Sequence, residues 1–123
     1  MAQHPLNLAL RFLLELAALG SIGIFGWQLT DNAWRIAGVV VLPLLAAMVW
    51  ATFAVPKDPS RSGNAPIPVS GSLRLFLELA IFGLAVWALH ATGAVGWSWT
   101  LASLVIVHYL LSYDRIAWLL QSE

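Results

Sequence analysis

The sequence has no cysteine and few charged residues, and both shortages narrow the class of protein. Without cysteine, the chain of 123 residues forms no disulfide and offers no thiolate for a metal, a haem attachment or thiol catalysis. Charged residues make up 10% of the chain, against roughly 25% in ordinary soluble domains. The six basic and six acidic side chains cancel, so no nucleic-acid partner is indicated.

Hydrophobic residues are abundant instead, and they form 60% of the chain against roughly 45–50% in soluble domains. A membrane-spanning helix needs about 20 mostly apolar residues, and the sequence holds four such runs. It therefore predicts an all-α fold, a four-transmembrane-helix bundle that makes residues 1–123 a single transmembrane domain. The spans are expected at about residues 6–28, 33–55, 70–92 and 97–119.

A polar stretch between the second and third runs predicts a linker over residues 56–69, because prolines, glycine and serines replace the apolar periodicity. Lysine and arginine concentrate on the cytoplasmic side of membrane proteins. Five basic residues fall on the side of the linker: Lys57, Arg61, Arg11, Arg74 and Arg115. Only Arg35 falls on the opposite side. This distribution predicts a multi-pass membrane protein with the linker and both termini in the cytoplasm.

The two halves of the chain resemble each other in sequence. The segment LRFLLELA at residues 10–17 recurs as LRLFLELA at residues 73–80, which is an offset of 63 residues. The same offset aligns Gly20 with Gly83 in sequence. Each half holds two spans, so both halves enter the membrane from the same side. The sequence therefore predicts two parallel helical-hairpin repeats, related by an axis along the membrane normal, with the first and third helices lying diagonally in the bundle.

Each repeat carries an arginine and a glutamate four residues apart inside an apolar span. Arg11 and Glu15 share one stripe of the first helix, and Arg74 and Glu78 form the matching stripe of the third. Ionisable groups within a membrane are costly and mark functional or structural sites. These four residues are therefore predicted to form an intramembrane polar network. Three further candidate members share one face of the fourth span at helical spacing: His108, Ser112 and Arg115.

Two interpretations of this polar network stay open. In the first, the two pairs cross-link the first and third helices, and the chain is a structural or accessory membrane protein whose surface serves a partner. In the second, Glu15 or Glu78 is the titrating group of a proton-coupled transporter or channel for a small solute. The lipid bilayer is the expected partner in both cases, with a second copy or another membrane protein as further alternatives.

Enzymatic activity is not expected, since the sequence shows no hydrolase signature, no phosphate-binding loop and no metalloprotease helix. No catalytic residue and no cofactor is assigned. Glu15, Glu78 and His108 are suitable ligand types for a metal, but Arg11 and Arg74 in the same layer oppose a cation. No metal site is therefore expected.

Several neighbouring residues are expected to lie outside the network. Tyr109 follows His108 by about 100° around the helix, which predicts that it points to another face. Asp114 and Arg115 are expected to form a solvated pair at the inner membrane boundary. On the other side of the first helix, Gly20 and Gly23 are expected to allow close packing against another helix.

Four sequence blocks resemble the YrdB-like family of small bacterial membrane proteins. The first is NLALRFLLELA at residues 7–17, and the later ones are PLLAA at 43–47, VPKDP at 55–59 and LRLFLEL at 73–79. The resemblance covers almost the whole chain and implies four spans in the bacterial inner membrane. The family has no assigned activity, so the resemblance implies no catalytic or binding residues.

Overall fold

The structure is a computed structural model that describes residues 4–56 and 65–121. These residues form five helices: α1 (Pro5–Gln28), α2 (Trp34–Thr52), α3 (Gly71–Ala91), α4 (Val95–Leu111) and α5 (Tyr113–Gln121). Two short strands, β1 (Phe53–Ala54) and β2 (Ile67–Pro68), pair in parallel where the predicted linker leaves α2 and returns toward α3. The predicted all-α class is confirmed. Most of the linker, with Lys57 and Arg61, lies outside the described residues.

The two helices that carry the Arg–Glu pairs begin at local capping signals. Proline suits the first turn of a helix, where no amide hydrogen is needed, and α1 begins at Pro5. The imidazole of His4 accepts the amide hydrogen of Leu6 at 3.2 Å. At α3, the hydroxyl of Ser70 accepts the amide hydrogen of Leu73 at 3.3 Å. These caps fix where each helix starts and therefore which face its charged residues occupy.

Glycines bring α1 and α2 together, although not all of the ones expected from the sequence. A Cβ atom at Gly26 would collide with the carbonyl oxygen of Gly38, so the two backbones touch. At Gly23 a Cβ atom would lie 3.4 Å from Pro43 Cγ, inside α2. The expectation for Gly20 is wrong, because its Cβ position has no atom within 4 Å. Three residues rotate the helix face by roughly 60°, which carries Gly20 away from the contact.

Three helices, α1, α2 and α3, are long and apolar enough to cross a membrane. The fourth apolar run, expected as one span over residues 97–119, is divided into α4 and α5. Together these two helices are long and apolar enough to cross a membrane once, but they meet at an angle of 70°. The break falls at Ser112, whose hydroxyl accepts a hydrogen bond from the side chain of Asn7 at 2.8 Å. The bend turns α5 back toward α3, against which it packs.

Polar and charged side chains are buried inside the bundle, and large apolar side chains are exposed on its outside. Among the described residues, nine polar or charged ones are buried: Asn7, Arg11, Ser21, Arg74, Glu78, Ser98, His108, Ser112 and Arg115. Large side chains such as Phe12, Phe76 and Leu110 are exposed. Soluble proteins bury such apolar residues, whereas helices in lipid expose them and turn ionisable groups inward. The distribution is thus typical of helices surrounded by lipid.

A small apolar core lies at the centre, between the two helices that carry the Arg–Glu pairs. Leu14 and Ala18 of α1 pack in one cluster with Phe82 and Ala85 of α3. Helix α1 also contacts α2 and α4, and α3 also contacts α4 and α5. The two central helices therefore hold the others in place around the charged layer.

A buried carboxylate held by three arginines

Glu78 lies at the centre of the charged layer, and its side chain has no exposed surface. Its Oε2 atom accepts hydrogen bonds from three guanidinium groups: Arg74 Nε at 2.8 Å, Arg11 Nη2 at 3.1 Å and Arg115 Nη2 at 2.8 Å. Arg115 also donates from Nη1 to Oε1 at 2.9 Å, so that this pair is bidentate. Charge-assisted bonds of this kind are the strong ones in proteins.

A tyrosine completes the shell around this carboxylate. The hydroxyl of Tyr109 donates to Oε1 of Glu78 at 2.7 Å. The partners of Glu78 thus come from four helices, with Arg11 on α1, Arg74 on α3, Tyr109 on α4 and Arg115 on α5. We call these five residues the Glu78 cluster. One carboxylate therefore joins every helix of the bundle except α2.

Arg74 joins the remaining helix to the cluster. Its Nη1 atom donates to the carbonyl oxygens of Trp50 and Phe53, each at 2.6 Å. These carbonyls lie at the end of α2, where the helix dipole favours a positive charge. The guanidinium also lies over the ring of Trp50, with Cζ 5.4 Å from the ring centre. The end of α2 is therefore tied to Glu78 through a single arginine.

The two glutamates of the sequence repeat have different surroundings. Glu15 accepts a hydrogen bond from Nε of Arg11 at 3.0 Å, and its side chain is 24% exposed. It lines a cavity of about 160 Å³ between α1 and α2, together with Trp50 and mainly small apolar residues. Glu78 is enclosed by donors on every side. Glu15 is thus the carboxylate at the edge of the network, and Glu78 is its centre.

A second polar group lies one helical turn from Arg11 on α1. The Oδ1 atom of Asn7 is 3.0 Å from Nδ1 of His108, and its Nδ2 atom donates to the hydroxyl of Ser112 at 2.8 Å. The amide oxygen only accepts, so this pairing has the histidine donate from Nδ1. His108 and Ser112 are therefore linked to α1 through Asn7, beside the charged residues.

The structure places Arg11, Glu15, Arg74 and Glu78 in one connected group. The structure also corrects the expectation for Arg115. Arg115 is not a solvated residue beside Asp114, because it is 4% exposed and binds Glu78. Whether these residues serve a function beyond holding the bundle together stays a prediction.

The sequence does not predict Tyr109 as a member of the cluster. The expectation that Tyr109 points to another face is wrong, because its hydroxyl binds Glu78. Helix α4 packs against both α1 and α3, so adjacent residues of α4 both point inward. His108 and Tyr109 are accordingly both buried. The available signal was chemical: a tyrosine hydroxyl inside an apolar span needs a hydrogen-bond partner, and a carboxylate supplies it.

The chemistry of the cluster favours negatively charged groups over cations. Three guanidiniums surround one carboxylate, and they repel a metal ion. In residues 4–56 and 65–121, no three histidine, aspartate or glutamate side chains come together as a group able to hold a metal. The arrangement suits a fixed ion network that connects helices, and its donors already satisfy both oxygens of Glu78.

Comparisons with known proteins agree with the blocks recognised in the sequence. A family described as a protein of unknown function (DUF2568) matches residues 9–106. The uncharacterized protein YrdB of Bacillus subtilis (strain 168) is 46% identical over 114 residues, which cover 93% of each chain. No solved structure matches the chain. The matched family range contains both Arg–Glu pairs, whereas Arg115 lies beyond it.

Proposed function

The chain belongs to the YrdB-like family of unknown function, and we propose that it is a structural or accessory protein of the bacterial inner membrane. In this proposal residues 1–123 form one transmembrane domain that crosses the bilayer four times, with α4 and α5 as a bent fourth span. The excess of basic residues on one side supports cytoplasmic termini and a cytoplasmic segment at residues 56–69. The apolar outside faces lipid and, where it has a partner, another membrane protein or a second copy.

The enclosure of Glu78 carries this proposal. A proton carrier must meet water on each side of the membrane in turn, but this carboxylate has no exposed surface and accepts five hydrogen bonds. Its partners come from four helices, so moving it would separate the bundle. Breaking a buried ion pair by removing one partner costs about 3–5 kcal/mol. Such a group suits a fixed connection between helices.

Two grooves on the surface support the proposed parallel hairpin repeats. Each groove has a volume of about 450 Å³ and is lined almost entirely by apolar residues. Six residues of α1 line the first groove, among them Leu14, Ala17, Ser21 and Ile24. Six residues of α3 line the second, among them Leu77, Ala80, Leu84 and Trp87. These four residues of each helix correspond at the offset of 63 residues, whereas the other two on each helix do not. The overlap between the two linings supports an axis along the membrane normal.

The decisive experiment compares stability with proton flux in one set of variants. Wild type and Glu78→Gln are purified in detergent for unfolding and reconstituted into vesicles that contain a pH-sensitive dye. We expect Glu78→Gln to lower the free energy of unfolding by about 3 kcal/mol. We also expect wild-type vesicles to leak protons no faster than empty ones. Proton flux that depends on Glu78, with unchanged stability, would refute the structural role.

Transport remains the second candidate, and one observation favours Glu15 as its titrating residue. Glu15 is partly exposed and borders the cavity of about 160 Å³ beside Trp50. In a transporter, Glu15→Gln would abolish solute-driven proton movement in vesicles while leaving the unfolding midpoint nearly unchanged. Loss of stability without any measurable flux in the wild type would assign Glu15 to the structural network.

A further inference from the structure

A fixed and uncompensated cation lies at the end of the α1–α2 hairpin opposite the Glu78 cluster. The guanidinium of Arg35 stacks on the indole of Trp27, with Cζ 4.3 Å from the ring centre. Its Nε atom donates to the carbonyl oxygen of Trp27 at 3.3 Å. Within the described residues, neither Arg35 nor Asp31, the acid four positions before it, forms an ion pair. The charge of Arg35 is therefore available to a ligand.

Trp27 also borders an apolar groove on the outside of the same hairpin. The groove has a volume of about 460 Å³ and is lined by residues of α1 and α2 that include Gly20, Gly23, Ile24, Val39 and Pro43. Gly20 keeps it open, since a Cβ atom there would have no neighbour within 4 Å. From Gly20 to Trp27 the groove follows α1 for roughly 10 Å. The apolar groove thus ends at Trp27, the residue on which the guanidinium of Arg35 stacks.

We infer that this hairpin binds one anionic phospholipid, with the lipid phosphate on Arg35 and an acyl chain in the groove between Gly20 and Trp27. A guanidinium binds phosphate oxygens with two parallel donors. Helix α2 begins beside Arg35 and has no acidic residue in its first turn, so its dipole also favours an anion. The positive charge of Arg35 at one end of the apolar groove matches the phosphate of a phospholipid, and the groove matches its acyl chain. An anionic lipid is preferred because the ammonium of a zwitterionic headgroup competes with Arg35 for the phosphate.

The sequence repeat provides a matched control inside the same chain. At the offset of 63 residues, Gly20 corresponds to Gly83, whose Cβ position also has no atom within 4 Å. Arg35, however, corresponds to Ser98, which carries no charge. The second hairpin therefore has the open glycine without the cation. The inference rests on the proposed membrane location but not on the structural role of the Glu78 cluster.

Native mass spectrometry of the full chain in detergent tests the inference. The protein is mixed with phosphatidylglycerol, phosphatidylethanolamine or inorganic phosphate, and the fraction that carries each molecule is measured. We expect phosphatidylglycerol to remain bound to the wild type and to Gly83→Leu. Arg35→Gln is expected to lower its occupancy about fivefold, the loss of one cation at an anionic membrane surface. Gly20→Leu is expected to remove binding by filling the groove, and inorganic phosphate is not expected to displace the lipid.

Each alternative result overturns the inference. Equal occupancy in wild type and Arg35→Gln would exclude the phosphate contact, and equal losses in Gly20→Leu and Gly83→Leu would exclude the groove. Displacement by inorganic phosphate would assign a simple anion site. Unfolding midpoints are recorded for every variant, and Arg35→Gln decides alone if Gly20→Leu is unstable. A chain absent from the membrane fraction would instead refute the proposed location.

Discussion

The Nη2 atom of Arg11 lies 3.1 Å from Oε2 of Glu78, which joins the arginine of the first sequence repeat to the glutamate of the second. The same arginine binds Glu15 on its own helix through Nε. Arg11 is therefore shared between the two repeats, and the Arg–Glu pairs are one connected group. This sharing distinguishes a cross-helix network from two separate pairs that each neutralise themselves.

A double-mutant cycle between Arg11 and Glu78 measures this connection. We expect Arg11→Met and Glu78→Gln to be coupled by about 1.5–3 kcal/mol in the free energy of unfolding, because the bond involves two charged and buried groups. Chemical unfolding in detergent, followed by circular dichroism, gives the free energy of unfolding of the wild type, the two single variants and the double variant. Additive effects of the two substitutions would mean that Arg11 serves Glu15 alone.

Tyr109→Phe removes a single hydrogen bond from Glu78 and leaves the ring in place. We expect the free energy of unfolding to fall by about 1.5–3 kcal/mol, since the lost partner is a buried carboxylate. Tyr113→Phe is the matched control, because Tyr113 is 68% exposed and should change stability by less than about 0.5 kcal/mol. If both variants unfold alike, the hydroxyl of Tyr109 does not support the cluster.

The spacing of the sequence predicts part of this site, and physical reasons explain the remainder. Arg–Glu pairs at equal depth in two repeats identify the charged layer from the sequence alone. The difference between Glu15 and Glu78 is not readable there, because their sequence surroundings are nearly identical. It arises from what packs against them: α4 and α5 enclose Glu78, whereas Glu15 borders a cavity beside α2.

The sequence predicts the all-helical character of the fold but neither the bend at Ser112 nor the short strands β1 and β2. Hydropathy predicts the helices, and their all-α class is confirmed. Residues 97–119 contain no glycine and no proline, so the hydropathy pattern predicts one span. Ser112 followed by Asp114 is a weak helix-start signal within that run. The bend is a tertiary feature. It accompanies the bond from Asn7 to Ser112 and the approach of Arg115 to Glu78, which lie far apart in sequence.

Close backbone contact between α1 and α2 predicts a position-dependent effect of adding one methyl group. Gly26→Ala is expected to lower the unfolding midpoint markedly, because the new Cβ atom collides with the carbonyl of Gly38. Gly20→Ala should leave stability unchanged or raise it by up to about 1 kcal/mol, since alanine favours a helix and the space is open. Thermal unfolding in detergent compares the two variants. The opposite ranking would show that the helices do not touch at Gly26.

The proposed topology is open to labelling because the chain has no cysteine of its own. In intact bacterial cells, a membrane-impermeant thiol reagent is expected to modify Asp31→Cys, at the exposed turn between α1 and α2. Ser62→Cys, outside the described residues, should react only after the cells are opened. Modification of Ser62→Cys alone in intact cells would reverse the orientation and place the Glu78 cluster toward the outer face.

The distance of 37 residues between Glu78 and Arg115 has a consequence for biosynthesis. During translation α3 is made before α5, so the ribosome delivers the carboxylate before its bidentate partner. Until α5 folds back at Ser112, the nascent bundle holds Glu78 with an incomplete set of donors. Before α4 and α5 are made, Arg11 and Arg74 are the members of the cluster available to Glu78, and the last helix completes its set of donors.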